Sequence, residues 1–176
     1  RIFLLACVIL HAWTAFALIG ENRKARPQSN EVEVTKKAGW SSLYMGLTGT
    51  ILLAFIVFHL LHFTIRLIFP EYNQLKTTVG SPNDSEIQDV YKMVLAGFRL
   101  EGVSVFYVVS MFLLCRHLSH GVSSVFQSLG IRSESWRGRL EVASEAYAWL
   151  IFVGFSIVPV AVLAQEYEIF SLFDAA

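Results

Sequence analysis

Four long apolar runs make up most of this chain, and three of them carry histidine. They read IFLLACVILHAWTAFALIG, LYMGLTGTILLAFIVFHLLHFTI, LEGVSVFYVVSMFLLCRHLSHGVSSVFQS and AYAWLIFVGFSIVPVAVLA. Each supplies or nearly supplies the ~20 residues that cross a bilayer. Lipid offers no partner to a backbone N–H or C=O, so such runs must close their own hydrogen bonds as helices. The expectation is an all-α integral membrane protein, one membrane-anchor domain over 1–176, with transmembrane helices at about 2–19, 43–65, 100–128 and 146–164. Charged residues are 16% of the chain, against about 25% in a soluble domain. The formal net charge of zero gives nucleic acid no purchase. Cys7 and Cys115 both lie in apolar runs and read as small buried hydrophobes, with no disulfide framework and no CxxC site.

The connections set an orientation. Arg23, Lys24, Arg26, Lys36 and Lys37 follow the first run, and Arg132, Arg137 and Arg139 precede the fourth. Glu71 to Asp89 reads as a Pro/Gly/Asn loop, with Gly80, Pro82 and Asn83. Tyr91 to Arg99 reads as a short interfacial helix, and the tail is acidic, with Glu166, Glu168 and Asp174. The positive-inside rule places the two basic connections on the cytoplasmic side (the matrix side in a mitochondrion), with the C-terminus outside. Pro159 predicts a kink in the fourth span.

All five histidines lie in or beside the apolar runs: His11, His59, His62, His117 and His120. An ionisable group at membrane depth is costly and is rarely there without a partner or a task. Neutral imidazole is also a common axial ligand of haem iron. At 1.5 Å per residue, His11 lies ~13 Å and His117 ~16 Å above the inner ends of their helices, so these two can meet one iron. His59 lies ~24 Å above the inner end of its helix and belongs to an outer level. Taken singly, each histidine is more simply a satisfied packing or proton-relay residue. The matched depths argue for bis-histidine haem. His62 and His120 follow His59 and His117 by three residues, on nearly the same face of an α-helix. Either member of each pair is able to ligate, and the other to hydrogen-bond a haem propionate, a quinone or a carbonyl. Arg116 is a candidate propionate or ion-pair partner. Arg66 is expected to snorkel to the outer interface, and Glu101 reads as an interfacial carboxylate or a proton or quinol group. Gly46 and Gly49, with Thr48 and Thr50, permit close approach of a helix or a flat porphyrin.

Three stretches carry a family resemblance: HAWTAFALIGENRKARP, MGLTGTILLAFIVFHLLHFT and HLSHGVSSVFQSLGI. In order and spacing the chain resembles the di-haem cytochrome b558 membrane anchor of succinate:quinone oxidoreductases (succinate dehydrogenase, respiratory complex II) and fumarate reductases. The resemblance implies a five-helix di-haem bundle of which these spans are the last four, the first helix lying before Arg1. It implies two haem b groups. His11 and His117 are then ligands of the inner haem. His59 is a ligand of the outer haem, its partner coming from the missing first helix or from a separate small membrane polypeptide. It favours the earlier histidine of each pair, leaving His62, His120 and Arg116 beside the cofactor. It further implies flavoprotein and iron–sulfur subunits docked on the basic side, and a quinone substrate, menaquinone by preference. The setting would be a bacterial plasma membrane, or a mitochondrial inner membrane, with the chain serving as electron conduit rather than as an enzyme by itself. Two alternatives stay open: a bis-histidine cytochrome b anchor of another quinone-linked oxidoreductase, and a haem-free helical assembly subunit.

Overall fold

A computed structural model describes residues 2–25, 44–78, 85–131 and 133–167. Within them the protein is all-α apart from one small hairpin. Four helices are long and apolar enough to cross a membrane. In chain order the elements are α1 (Ile2–Ala25), α2 (Met45–His59), β1 (Lys76–Thr78), β2 (Glu86–Gln88), α3 (Val90–Phe98), α4 (Glu101–Ser128) and α5 (Glu134–Glu166). Arg26, Lys36, Lys37, Gly80, Pro82, Asn83, Arg132, Glu168 and Asp174 lie outside the described residues.

Four boundaries differ from the sequence expectation. α1 runs on past residue 19 to Ala25, with Arg23 and Lys24 in its last turn, because polar residues at the membrane surface extend a helix that hydropathy ends early. α5 begins at Glu134 rather than near Ala146. Its first turns are polar and solvent-compatible, so hydropathy does not detect them; Ser133 precedes Glu134 as an N-cap residue, and Arg137 pairs with Glu141 one turn on at 3.3 Å. Arg137 and Arg139 thus belong to a helix, not a loop. α2 does not run on as an α-helix to Ile65: one π-helical turn, Leu60–Thr64, follows His59. The chain then reverses at Arg66, whose φ of 59° lies in the left-handed region that a non-glycine residue seldom occupies. The stretch read as an open loop is partly ordered, with a 3-10 turn at Pro70–Gln74 and the antiparallel strands β1 and β2, Thr77 opposite Ile87. The interfacial helix is present as α3, capped by Asp89, whose side chain accepts from the Lys92 backbone N–H at 2.9 Å.

α4 and α5 share the most extensive interface in the bundle. Both bury small side chains: Ser104, Ser110 and Cys115 on α4, and Ser144, Ala148 and Ser156 on α5. Small residues let helix backbones approach where lipid supplies no hydrophobic drive. Two of the serine hydroxyls return their protons to their own helix backbone, Ser110 to Phe106 O at 2.7 Å and Ser144 to Leu140 O at 2.7 Å, and Ser104 donates to Phe98 O at 2.6 Å. A second core of Phe55, Phe98, Tyr107, Met111 and Val162 joins α2, α3, α4 and α5 near the hairpin end. Pro159 is buried within an unbroken α5. At the hairpin end Arg99 pairs with Glu166 at 3.2 Å, and the Tyr167 hydroxyl donates to Glu101. α1 has no buried residue and leans on α2, with Ile19 Cδ1 3.2 Å from where a Cβ on Gly46 would stand.

Candidate functional site

The fold makes two histidine-lined cavities at different levels. The first is a cleft of about 270 Å³ between α1, α2 and α4. His11 and His117 both line it, with ring centroids 6.3 Å apart and ring planes at 86°. Its floor is made of small residues, Ala12 and Ala15 on α1 with Gly46 and Gly49 on α2. Gly49 gives the His117 ring room: a Cβ at that position would stand 3.3 Å from His117 Cε1, closer than ordinary contact.

The His117 ring has a defined hydrogen-bond setting. Its Nδ1 lies 3.2 Å from Thr48 Oγ1, and the threonine is buried. The Thr48 hydroxyl spends its own proton on the Tyr44 and Met45 carbonyls, both at 3.1 Å. With that proton on a carbonyl, its oxygen accepts from His117 Nδ1–H. In that tautomer Nε2 carries the lone pair that a metal ligand needs. His11, exposed on α1, has no comparable hydrogen bond among the described residues.

The second cavity, about 740 Å³, opens between α2, α3, α4 and α5 near the hairpin. His59, Arg66, Gln88 and Tyr107 supply its polar groups, and Phe98, Met111 and Phe155 are part of its apolar wall. His59 Nδ1 lies 3.3 Å from the Tyr107 hydroxyl. Arg66, expected at the outer interface, reaches strand β2 at the hairpin end. It is half-buried on the cavity wall, its Nη1 donating to Gln88 Oε1 at 3.0 Å and its buried Nε lacking a partner. The Gln88 amide is held in turn by the Tyr72 and Leu75 carbonyls at 2.8 and 2.9 Å, so strand β2 and the 3-10 turn fix the arginine.

His59 and His62 both face Tyr107, each with Nδ1 within 3.3 Å of its hydroxyl, although a π turn begins after His59. His62 is fully buried behind the cavity, with Nδ1 3.0 Å from Tyr107 OH and Nε2 3.4 Å from Tyr72 OH. Both its nitrogens are taken by tyrosines. His120 lies one turn beyond His117 on α4, with Nε2 3.4 Å from Ser124 Oγ. Arg116 pairs with Glu145 across the α4–α5 interface at 3.1 Å, and Glu145 also accepts from Trp149 Nε1 at 3.1 Å. The ion pair that the sequence offered for Arg116 is formed.

Sequence reasoning passed over Tyr107 and Tyr72. A signal existed for Tyr107: a phenol in the middle of VFYVVSMF needs a hydrogen-bond partner inside a membrane. In comparisons with known proteins, no family model, no curated protein and no solved structure matches the chain.

Proposed function

We propose that this chain is a haem b-binding membrane anchor that carries electrons between a soluble oxidoreductase and a membrane quinone. One observation carries the reading: His11 and His117, from two different helices, face one cleft with ring centroids 6.3 Å apart, and His117 Nδ1 lies beside the Thr48 hydroxyl. His11 and His117 would hold the group between them, and the small residues Ala12, Ala15, Gly46 and Gly49 in the cleft lining suit a flat macrocycle. Haem b, when bound, would supply one-electron chemistry, and ligation by two histidines would favour electron transfer over oxygen binding.

The residues here have separable tasks. His11 and His117 would hold the inner group. Thr48 orients His117, and Gly49 gives its ring room. His59 would hold an outer group in the larger cavity, its second ligand coming from outside the described residues. Arg23 and Lys24, at the end of α1, stand on the side read as cytoplasmic, where flavoprotein and iron–sulfur subunits of a succinate:quinone oxidoreductase would dock.

A reduced-minus-oxidised optical spectrum of the protein purified from membranes tests the reading. A b-type band is expected, and His11→Ala and His117→Ala should remove the same component. A colourless protein would overturn it in favour of a haem-free assembly subunit. The soluble chains that co-purify would separate a succinate-linked partner from another oxidoreductase.

A further inference from the structure

Each cavity-lining histidine whose Nδ1 is bonded uses a hydroxyl from the neighbouring helix, but the two hydroxyls are prepared differently. Thr48 gives its proton to backbone carbonyls. Tyr107 has no carbonyl partner among the described residues; besides His59, its hydroxyl meets only His62 Nδ1, at 3.0 Å. The four groups form one chain: His59 Nδ1, Tyr107 OH, His62, Tyr72 OH, with contacts of 3.3, 3.0 and 3.4 Å.

Such a chain can run in two directions. In one, Tyr72 donates to His62, His62 Nδ1–H donates to Tyr107, and Tyr107 donates to His59 Nδ1. His59 then carries its proton on Nε2 and cannot ligate a metal through it. In the other, His59 Nδ1–H donates to Tyr107, Tyr107 donates to His62 Nδ1, and His62 Nε2–H donates to Tyr72. His59 Nε2 is then a lone pair. A metal-ligating imidazole nitrogen must be unprotonated, so only the second direction is compatible with a ligand role.

We propose that Tyr107 and His62 are positioning residues for His59. His62 takes the Tyr107 proton, the Tyr107 oxygen accepts from His59 Nδ1–H, and His59 is presented as an Nε2 ligand. This rests on the reading that His59 holds the outer haem. It gives His62 a task that its full burial and two tyrosine partners leave open, and removes it as an alternative ligand.

The test is a redox titration of the complex purified from membranes, with haem content measured alongside. His59→Ala in the wild-type background identifies the outer component. Tyr107→Phe should weaken outer haem retention by about 10–100-fold, the usual loss when a ligand's hydrogen-bond partner is removed. It should also raise the midpoint potential of that component, because a less polarised imidazole stabilises ferric iron less. The inner component should not move. His62→Gln should stay close to wild type, since its amide oxygen accepts from Tyr107 and its amide N–H donates to Tyr72. His62→Phe keeps a ring of similar size without either bond and should behave like Tyr107→Phe. An outer component unmoved by Tyr107→Phe, equal behaviour of the Gln and Phe variants, or loss of both haems together in Tyr107→Phe would overturn the inference. If His59→Ala changes nothing, the failure lies with the His59 reading itself, and the inference falls with it.

Discussion

Thr48 and His117, sixty-nine positions apart in sequence, meet at 3.2 Å across the α2–α4 seam. Farther out on the same seam the roles reverse: His59 is on α2 and its hydroxyl partner, Tyr107, is on α4. Each helix therefore lends the other a hydroxyl for its cavity-lining histidine. The consequence is mechanical as well as electronic. Any shift of α2 against α4 disturbs both imidazoles at once, so the seam sets two sites with one interface.

Thr48→Val tests the inner half of this exchange. Valine keeps the β-branched shape but removes the acceptor for His117 Nδ1–H. Affinity for haem at the inner site should fall by about 10–100-fold, while the component lost in His59→Ala stays unchanged. Pyridine haemochrome titration of the purified variants measures both.

Gly49→Ala tests space rather than hydrogen bonding. The added methyl would stand 3.3 Å from His117 Cε1, and the ring can yield only by moving off Thr48. The expected outcome is a protein that still inserts and folds but shows a broadened or weakened inner spectrum. An unaltered spectrum and potential would show that the ring has more room than the α2 backbone allows here.

What was legible in the sequence follows from which forces are one-dimensional. Hydropathy reads membrane spans directly, because the bilayer sets their length, and it found all four. It could not see the first turns of α5, where Glu134, Arg137 and Glu141 are stabilised by helix pairing and not by lipid. Counting rise along helices placed His11 and His117 at one level, and the structure brings them together. Counting rotation put His59 and His62 on nearly one face, and both reach the Tyr107 hydroxyl, but the π turn after His59 left no mark in the sequence. The partner of Arg66 was hidden for a different reason. The arginine's direction is set by Gln88, twenty-two residues away, and by a left-handed backbone that no propensity predicts. Among the groups that orient the histidines, Thr48 was noticed for its size and Tyr107 not at all, since side-chain hydrogen bonds between helices leave no periodic trace.

The α3 cap supplies a pH dependence. The Asp89 carboxyl is held below its usual value, first by the Lys92 backbone N–H and further by the Lys92 ammonium, 3.2 Å away. A depressed carboxylate pKa stabilises the fold above the unfolded-state value of about 4 and loses that effect as pH falls through the folded-state value. Hydrogen exchange of α3 amides should therefore accelerate on acidification through that window, more than exchange in α4. Asp89→Asn keeps a capping oxygen without the titration, and should flatten the profile.

Gly97 on α3 is where the hairpin layer meets the tail of α2. A Cβ there would stand 2.8 Å from Phe63 Cζ and 3.2 Å from His62 Nε2. Gly97→Ala should destabilise by about 1–3 kcal/mol, the common penalty for overpacking a filled site. Because His62 is one of the atoms struck, the outer component should shift with it while the inner one holds. Thermal unfolding in detergent, followed at both haem signals, separates the two effects. Simultaneous loss of both would mean that α3 braces the whole bundle.

The last prediction concerns the basic end of α1. Arg23 and Lys24 are the basic residues in its last turn. Cations there complement the helix dipole and lie on the side that the positive-inside rule assigns to the cytoplasm. Two tasks compete for them: fixing orientation against anionic headgroups, and steering a soluble partner onto the membrane. Reversal of both, Arg23→Glu with Lys24→Glu, distinguishes these. If they steer a partner, the assembled complex should dissociate at lower ionic strength than wild type, because the association depends on screened charge. The haem spectrum should be unaffected, since neither residue lines the His11–His117 cleft. If they fix orientation only, insertion or topology changes, and whatever complex forms shows the wild-type salt dependence. Size-exclusion chromatography across a salt series, with protease mapping of the loops, reads both outcomes. A complex that stays intact at raised salt after the double reversal would remove this patch as the docking surface.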